Sequence, residues 1–337
     1  MEPAATDVVD LARSLIDIES TSGHEAQATD WLAAWLRRQG YDVTEQPVVD
    51  DRVNIIATVG AGDPEIVFST HIDCVPPFFP SRVEGDVLHG RGACDAKGIL
   101  AAEIMALERF RVAGEERVGL LVVVGEERGS HGARAANRLA TRSRYLINGE
   151  PTDNRLALGT KGAFRVRISA TGRAAHSAYP ELGESAIDKL LDALITLRDL
   201  ELPSDPVLGQ ATCTVGLIGG GVAPNVIPPE AEADVNFRTV GPSSAIRALL
   251  DARLRDVTVE EILDVPAVRL TTRPGFDTQV VSFATDIPFL TSWGQPLLLG
   301  PGSIHVAHTD QEQVAIPELV GAIDLYESLA KQLLDEA

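Results

Sequence analysis

Cysteine is nearly missing from this chain of 337 residues: three occur, Cys74, Cys94 and Cys213, with no CxxC spacing among them. So few, in an odd number, exclude a disulfide scaffold and a thiolate zinc site. Long apolar runs are missing as well, since none approaches the roughly 20 residues a spanning helix requires. Positive charge is scarce. Lys plus Arg total 29 against 49 Asp plus Glu, a formal net charge of −20 at pH 7, which argues against nucleic acid and anionic membrane as partners. The opening MEPAATDVVDLARSL has neither a basic start nor an apolar core for export, so the cytoplasm is the expected compartment. Internal repeats and low-complexity segments are also lacking.

What is there is a globular composition, 45% hydrophobic and 23% charged, on a chain long enough for two domains. Acidic and imidazole residues stand in clusters: His71 and Asp73 in FSTHIDCVPP, Asp95 in HGRGACDAKG, Glu126 and Glu127 in VVVGEERGS, Glu150 in INGEPTD, and His308 in GPGSIHVAHTDQE. Most follow an apolar run of β type. Strands ending together would pool these side chains in one crevice, where carboxylates without a cation repel and become protonated. Carboxylate and imidazole suit Zn²⁺, Mn²⁺ or Co²⁺. One carboxylate more than the metals need is left to act on water, so the pattern reads as a hydrolase with two metals.

Taken in order, apolar spacing predicts helices over Val8–Ile16 and Ala28–Leu36, the second with Trp31 and Trp35 in its inner stripe and Gly40 closing it. Short strands follow near Val43, over residues 54–59 and over 65–70. Residues 97–113 read as a long helix and 118–124 as a strand buried on both faces. A helix over 133–140 and a strand over 144–148 complete an α/β rhythm. From about Gly162 the rhythm changes to strand 163–170, helix 184–200, strands 211–218 and 230–240, helix 243–254 and strand 267–272. That order, β-α-β-β-α-β, is a split βαβ sandwich inserted into the first domain. A helix near 279–284, a strand at 296–299 and an amphipathic helix from Pro317 to the end return to the α/β pattern. The divisions are therefore 1–161 and 274–337 for one domain and 162–273 for the other.

The ordered set HID, GRGACDAKG, GEERGS, NGEP, GRAAHSAYPELG, NVIP and a late AHxxxE resembles the dinuclear zinc amidohydrolases and peptidases that include acetylornithine deacetylase, succinyl-diaminopimelate desuccinylase, aminoacylase and glutamate carboxypeptidase. The resemblance covers nearly the whole chain. It implies a zinc-peptidase-like α/β catalytic domain with a mixed sheet and an inserted α+β lid that makes a homodimer. It also implies two divalent ions per subunit, zinc first, with cobalt or manganese as substitutes. Asp95 would bridge them, with His71 and Glu150 completing one site and Glu127 and His308 the other. Asp73 would stand behind His71 and fix its tautomer, and Glu126 would be the general base that shuttles a proton from water to the leaving amine. His176 in the lid would stabilise the oxyanion in the partner subunit's site. Lys161, Asn225 and Arg238 would grip the substrate's carboxylate or carbonyl. The peptide bond from Asp95 to Ala96 is expected to be cis.

Each motif also has a plain structural reading. HxD alone is weak, Arg238 can be a strand-face charge, and Cys74 and Cys94, though beside ligands, read as small buried hydrophobes. His305 and His308 both follow GPGSI, and only His308 has a glutamate four residues on, Glu312. The segment 76–87 is shorter than is usual in the family and His89 stands where an aromatic is common, departures that bear on the substrate pocket. GPGSI-x-x-AH looks most like acetylornithine deacetylase and its acetyl-lysine relatives, so the expected substrate is a small N-acyl amino acid. A dipeptidase or carboxypeptidase is the alternative within the family, and an inactive binding protein the alternative outside it.

Overall fold

The computed structural model describes residues 6–60 and 62–336, which fall into two compact units. The first comprises residues up to Leu158, Leu270–Gln279 and those from Thr285 on. At its centre is a six-stranded sheet in the order Asp42–Val49, Arg52–Thr58, Val118–Val123, Ile66–His71, Tyr145–Asn148, Gln295–Leu298. The strand Ile66–His71 pairs in parallel with both of its neighbours, Gln295–Leu298 is parallel to Tyr145–Asn148, and the first two strands form an antiparallel hairpin, so the sheet is mixed. Ile66–His71 and Val118–Val123 are buried along their whole length, which is why VGLLVV reads as a continuous apolar run, while IVFSTH turns polar over the three residues that lead to the site.

Helix Lys97–Val112 packs on this sheet and is itself buried on nearly every side, from Lys97 through Leu107. Its neighbours are the helices Thr6–Ile16 and Ile316–Asp335. Phe68 of the central strand meets Tyr326 of the last helix edge-on, with ring centroids 5.5 Å apart, and Phe110 at 6.5 Å. The Tyr326 hydroxyl is satisfied by donating to the carbonyl of Leu299 at 2.7 Å, so this buried aromatic leaves no polar atom orphaned. No helix among the described residues is long and apolar enough to cross a membrane.

The second unit, Gly159–Arg269 with Val280–Ala284, holds a four-stranded antiparallel sheet in the order Thr212–Gly220, Glu230–Thr239, Gly162–Thr171, Thr258–Val265. Alternation sets its two faces. Phe164, Val166 and Ile168 of one strand and Ala233, Val235 and Phe237 of the next pack with Leu190 and Leu250, contributed by the helices Ala186–Arg198 and Ser243–Arg253. On the opposite face Arg167 meets Asp234 at 2.8 Å. Two expectations are corrected. The last strand of the sandwich is Thr258–Val265 rather than 267–272. As a mostly exposed edge strand, TVEEILDV carries charges where an interior strand carries apolar residues. Residues 279–284 are not helical: Thr278–Val281 is a short strand.

Candidate metal centre

Parallel pairing places the carboxyl ends of the central strands along one edge of the first unit's sheet. His71 is the last residue of its strand, Glu126 and Glu127 follow Val118–Val123, and Glu150 follows Tyr145–Asn148. The segment leading to His308 leaves Gln295–Leu298. In open α/β sheets this edge is where ligands bind. Asp95 lies in the turn before helix Lys97–Val112 and is joined to Ala96 by a cis peptide.

Two groups of donor atoms form there, His71 with Asp95 and Glu150, and Asp95 with Glu127 and His308, each with its atoms within 4.8 Å of one another. Asp95 belongs to both, and its oxygens divide the work. Oδ1 lies 3.0 Å from His71 Nε2 and Oδ2 lies 3.2 Å from His308 Nε2, which is also 2.9 Å from Glu127 Oε1. Three carboxylates and two imidazoles, hard and borderline donors without thiolate, are the set that zinc, manganese or cobalt takes. Of the two histidines after GPGSI, His308 is the one in a donor group, at a left-handed φ of 65°.

The electrostatics fit the same reading. Burial, with the charges of Asp95 and Asp286 against the pull of His71, pushes the Glu150 carboxyl well above its ordinary range. Burial and the charge of Asp286 do the same to Glu126, and burial raises Glu127. Hydrogen bonds to Asp95 and Glu127 push His308 up to about 10. Burial opposes charge on His71, yet its bonds to Asp73 and Asp95 raise it. Burial likewise opposes charge on Asp95, which the bonds from His308 and His71 hold well below the carboxylate range. The protein alone thus balances this cluster with protons, the role that cations play for crowded carboxylates.

Asp73 sits differently from expectation. His71 Nδ1 is 2.9 Å from the main-chain oxygen of Asp73 and 3.6 Å from its carboxylate. A carbonyl can only accept, so Nδ1 carries a proton, and in the metal-free protein Nε2 carries the second and donates to Asp95 Oδ1; a cation bound there would take the place of that second proton. The buried carboxylate instead accepts from Ser22 Oγ at 2.7 Å and from the main-chain N–H groups of Glu126 and Glu127 at 3.0 and 3.3 Å. It fixes the turn that carries both glutamates.

The remaining expected residues lie in the second unit. His176 is exposed and bridges to Val226, Ser177 N–H donates to the carbonyl of Asn225 at 3.0 Å, and Ala178 N–H donates to His176 Nδ1 at 3.1 Å. His176 and Asn225 are therefore neighbours. Arg238 is half-buried, makes no ion pair among the described residues, and has its basicity lowered by burial and by Arg165. Lys161 is buried and donates from Nζ to the carbonyl of Gln210 at 2.7 Å. One acid was not foreseen: Asp286 is buried with neither carboxylate oxygen hydrogen-bonded, and burial raises it to about 6. It opens a 3₁₀ turn in a stretch without apolar periodicity, and a single aspartate there carries no signal.

An α/β unit with two carboxylate-imidazole groups sharing one aspartate at the carboxyl ends of its strands defines a metallohydrolase. The chain belongs to peptidase family M20/M25/M40, matched over residues 67–332, whose members depend on two metal ions and cleave amide or peptide bonds. It is 38% identical to a peptidase M20 domain-containing protein of Schizosaccharomyces pombe, over 97% of this chain and 85% of the relative. It is 37% identical to a probable carboxypeptidase of Aspergillus terreus, over 94% and 84%. Among solved structures, a tripeptidase of Staphylococcus aureus superposes with a TM-score of 0.80 at 20% identity, covering 98% of this chain and 100% of the other. An M20 family metallo-carboxypeptidase of Sulfolobus solfataricus gives 0.75 at 16%, covering 95% and 98%.

Proposed function

We propose that the protein hydrolyses the amide bond of a small N-acyl amino acid, in the manner of an acetylornithine or acetyl-lysine deacetylase. The observation that carries the reading is Asp95 shared between two donor groups with Glu126 beside them. His71, Asp95 and Glu150 would hold one divalent ion and Asp95, Glu127 and His308 the other, zinc first. Bound there, the ions supply Lewis acidity for the scissile carbonyl and for water. Glu126 takes the proton of the attacking water and returns it to the leaving amine, a task for which a carboxyl raised toward neutrality is suited. Asp73, through two main-chain N–H groups, keeps Glu126 aimed.

His176 accepts at Nδ1, which leaves a neutral ring with its proton on Nε2, a donor for an oxyanion. Arg238, with no acidic partner among the described residues, takes the substrate's carboxylate, with Asn225 and Lys161 as further donors. The second unit acts as a lid and joins two copies, since its edge strand and outer helix expose Leu217, Ile218 and Ile195 at 68%, 60% and 57%. A second copy covering that face would bring His176 to the other subunit's metals. The free and mostly buried cysteines suit a reducing cytoplasm.

The probable carboxypeptidases among the relatives favour a second reading, in which a peptide takes the acyl place and the same bond to a free amino acid is cut. A hydrolysis panel of N-acetyl amino acids against dipeptides and tripeptides, with Zn²⁺, Co²⁺ and Mn²⁺ supplied in turn, separates the two. The proposal expects the highest kcat/KM on an N-acetyl amino acid. A clear preference for peptides overturns it in favour of the carboxypeptidase, and no hydrolysis of any member with metals bound removes both.

A further inference from the structure

Arg91 and Glu312 form a buried ion pair, 2% and 1% exposed, outside both donor groups. The two oxygens of Glu312 have separate partners. Oε2 lies 2.5 Å from Arg91 Nη1, while Oε1 accepts three main-chain N–H groups, from Gly92 at 2.9 Å, Asp95 at 3.1 Å and Cys94 at 3.3 Å. Successive N–H groups converging on one anion form a nest. It depends on Gly92, whose φ of 91° and whose closeness to Cys74 Sγ, 2.8 Å from where a Cβ would be, admit no side chain. Arg91 is fixed in turn by donating from Nε to the carbonyl of Pro77 at 3.2 Å and by lying 4.9 Å over the ring of Phe79.

The chain around Glu312 closes the same turn from the other side. Gly90 N–H donates to the carbonyl of Glu312 at 3.2 Å, and the strand Gln313–Ala315 pairs with Val87–His89, which leads into the Asp95 turn. His308 stands four residues before Glu312, on the same loop. One carboxylate therefore links the segment carrying the shared aspartate to the segment carrying the outer histidine, 217 positions apart in sequence where Asp95 meets Glu312. Stability alone is a poor account of such a pair, because well-packed apolar residues serve as well in a core without the cost of desolvating two charges. Specifying geometry is a better one. We infer that Glu312 is a positioning residue for the metal centre, pegging Asp95 by its main chain and His308 by its loop so that both donor groups are held in place together.

This rests on the ligand assignment proposed above, so its test carries a control for that assignment. Glu312→Asp keeps a charge opposite Arg91 and withdraws the acceptor from the three N–H groups by one methylene. Zinc dissociation constants of the folded variant, from chelator competition, and the visible spectrum of its cobalt form are the readouts. Loss of an outer-shell partner weakens metal binding by roughly ten- to a hundredfold, and the inference expects that loss, with a changed cobalt spectrum. A lower melting temperature with wild-type zinc affinity and spectrum would show a merely structural tie and overturn it. Should Glu312→Asp not fold, Glu312→Leu combined with Arg91→Met, which removes the acceptor without leaving a buried cation unpaired, is read against the same two outcomes. Asp95→Ala is measured alongside. If it retains both ions, the ligand assignment itself fails; if it loses them while the Glu312 variant keeps wild-type affinity, only the present inference fails.

Discussion

Replacing Glu126 with glutamine separates the chemistry of the site from its scaffold. The side chain belongs to neither donor group, glutamine matches its shape, and the bond that aims the turn, Glu126 N–H to Asp73 Oδ1 at 3.0 Å, runs through the main chain. Metal content should stay at the wild-type level. Turnover should not. A general base contributes roughly 10²–10⁴ in rate, so the barrier should rise by about 3–6 kcal/mol at ~1.4 kcal/mol per decade. Stability of the metal-free protein should move the other way. Burial, with the charges of Asp286, Glu150 and Glu127, holds the Glu126 carboxyl well above its ordinary value of 4.5. A carboxyl raised on folding contributes its stability below its unfolded pKa and loses it as pH rises through the folded one. Above about pH 5 the wild type therefore pays to ionise Glu126 and the amide does not. Metal-free Glu126→Gln should melt higher than metal-free wild type near pH 8, and the gap should close toward pH 4. The assay is kcat on an N-acetyl amino acid, metal per chain, and melting in chelator across that range. A kcat within about tenfold of wild type would refute Glu126 as the base.

Further predictions follow from the same geometry. Asp95→Ala should lose both ions, because its two oxygens face different imidazoles; metal analysis showing two equivalents per chain would sink the bridging role. Hydrogen bonds to Asp95 and Glu127 push His308 up to about 10 in the metal-free protein, so zinc must displace its proton at neutral pH. Affinity should rise with pH up to that value, by at least about one decade per unit, and calorimetry in buffers of different ionisation enthalpy that detects no proton release would contradict this. Mixed with Glu126→Gln, His176→Ala should recover about a quarter of wild-type activity on random exchange, since half the dimers are mixed and each has one complete site. No recovery despite demonstrated exchange would confine His176 to its own subunit or to no role at all.

Much of the fold was legible because burial leaves a mark on composition. Val118–Val123 is buried on both faces and appears as an unbroken apolar run, Ile66–His71 is equally buried and opens with the apolar Ile66, Val67 and Phe68, and the last helix keeps a clean stripe from Leu319 to Leu334. Most of the candidate donor residues are legible because they stand where a strand's apolar residues end, as His71, Glu127 and Glu150 do, whereas Asp95 precedes a helix and His308 lies in a loop. Edges were harder. Thr258–Val265 pairs on one side only and is dotted with acids, so nothing in TVEEILDV marks it as the fourth strand. Residues 279–284 read as helix from the sequence because the strand there, Thr278–Val281, is too short to display a period. Contacts made by main-chain atoms left no trace at all. Neither the Asp73 carbonyl facing His71 nor the three N–H groups on Glu312 Oε1 is a property of a side-chain pattern. Asp286 was missed for a related reason, since its burial follows from the packing of segments distant in sequence.

The central claim is that two ions sharing Asp95 drive hydrolysis, and titrating metal-free protein with zinc tests it most directly. Turnover of the best substrate in the panel should be absent in chelator, climb with added zinc, and level off at two equivalents per chain. Hydrolysis that persists in the chelated protein, or that levels off at one equivalent with the second ion never bound, would contradict it.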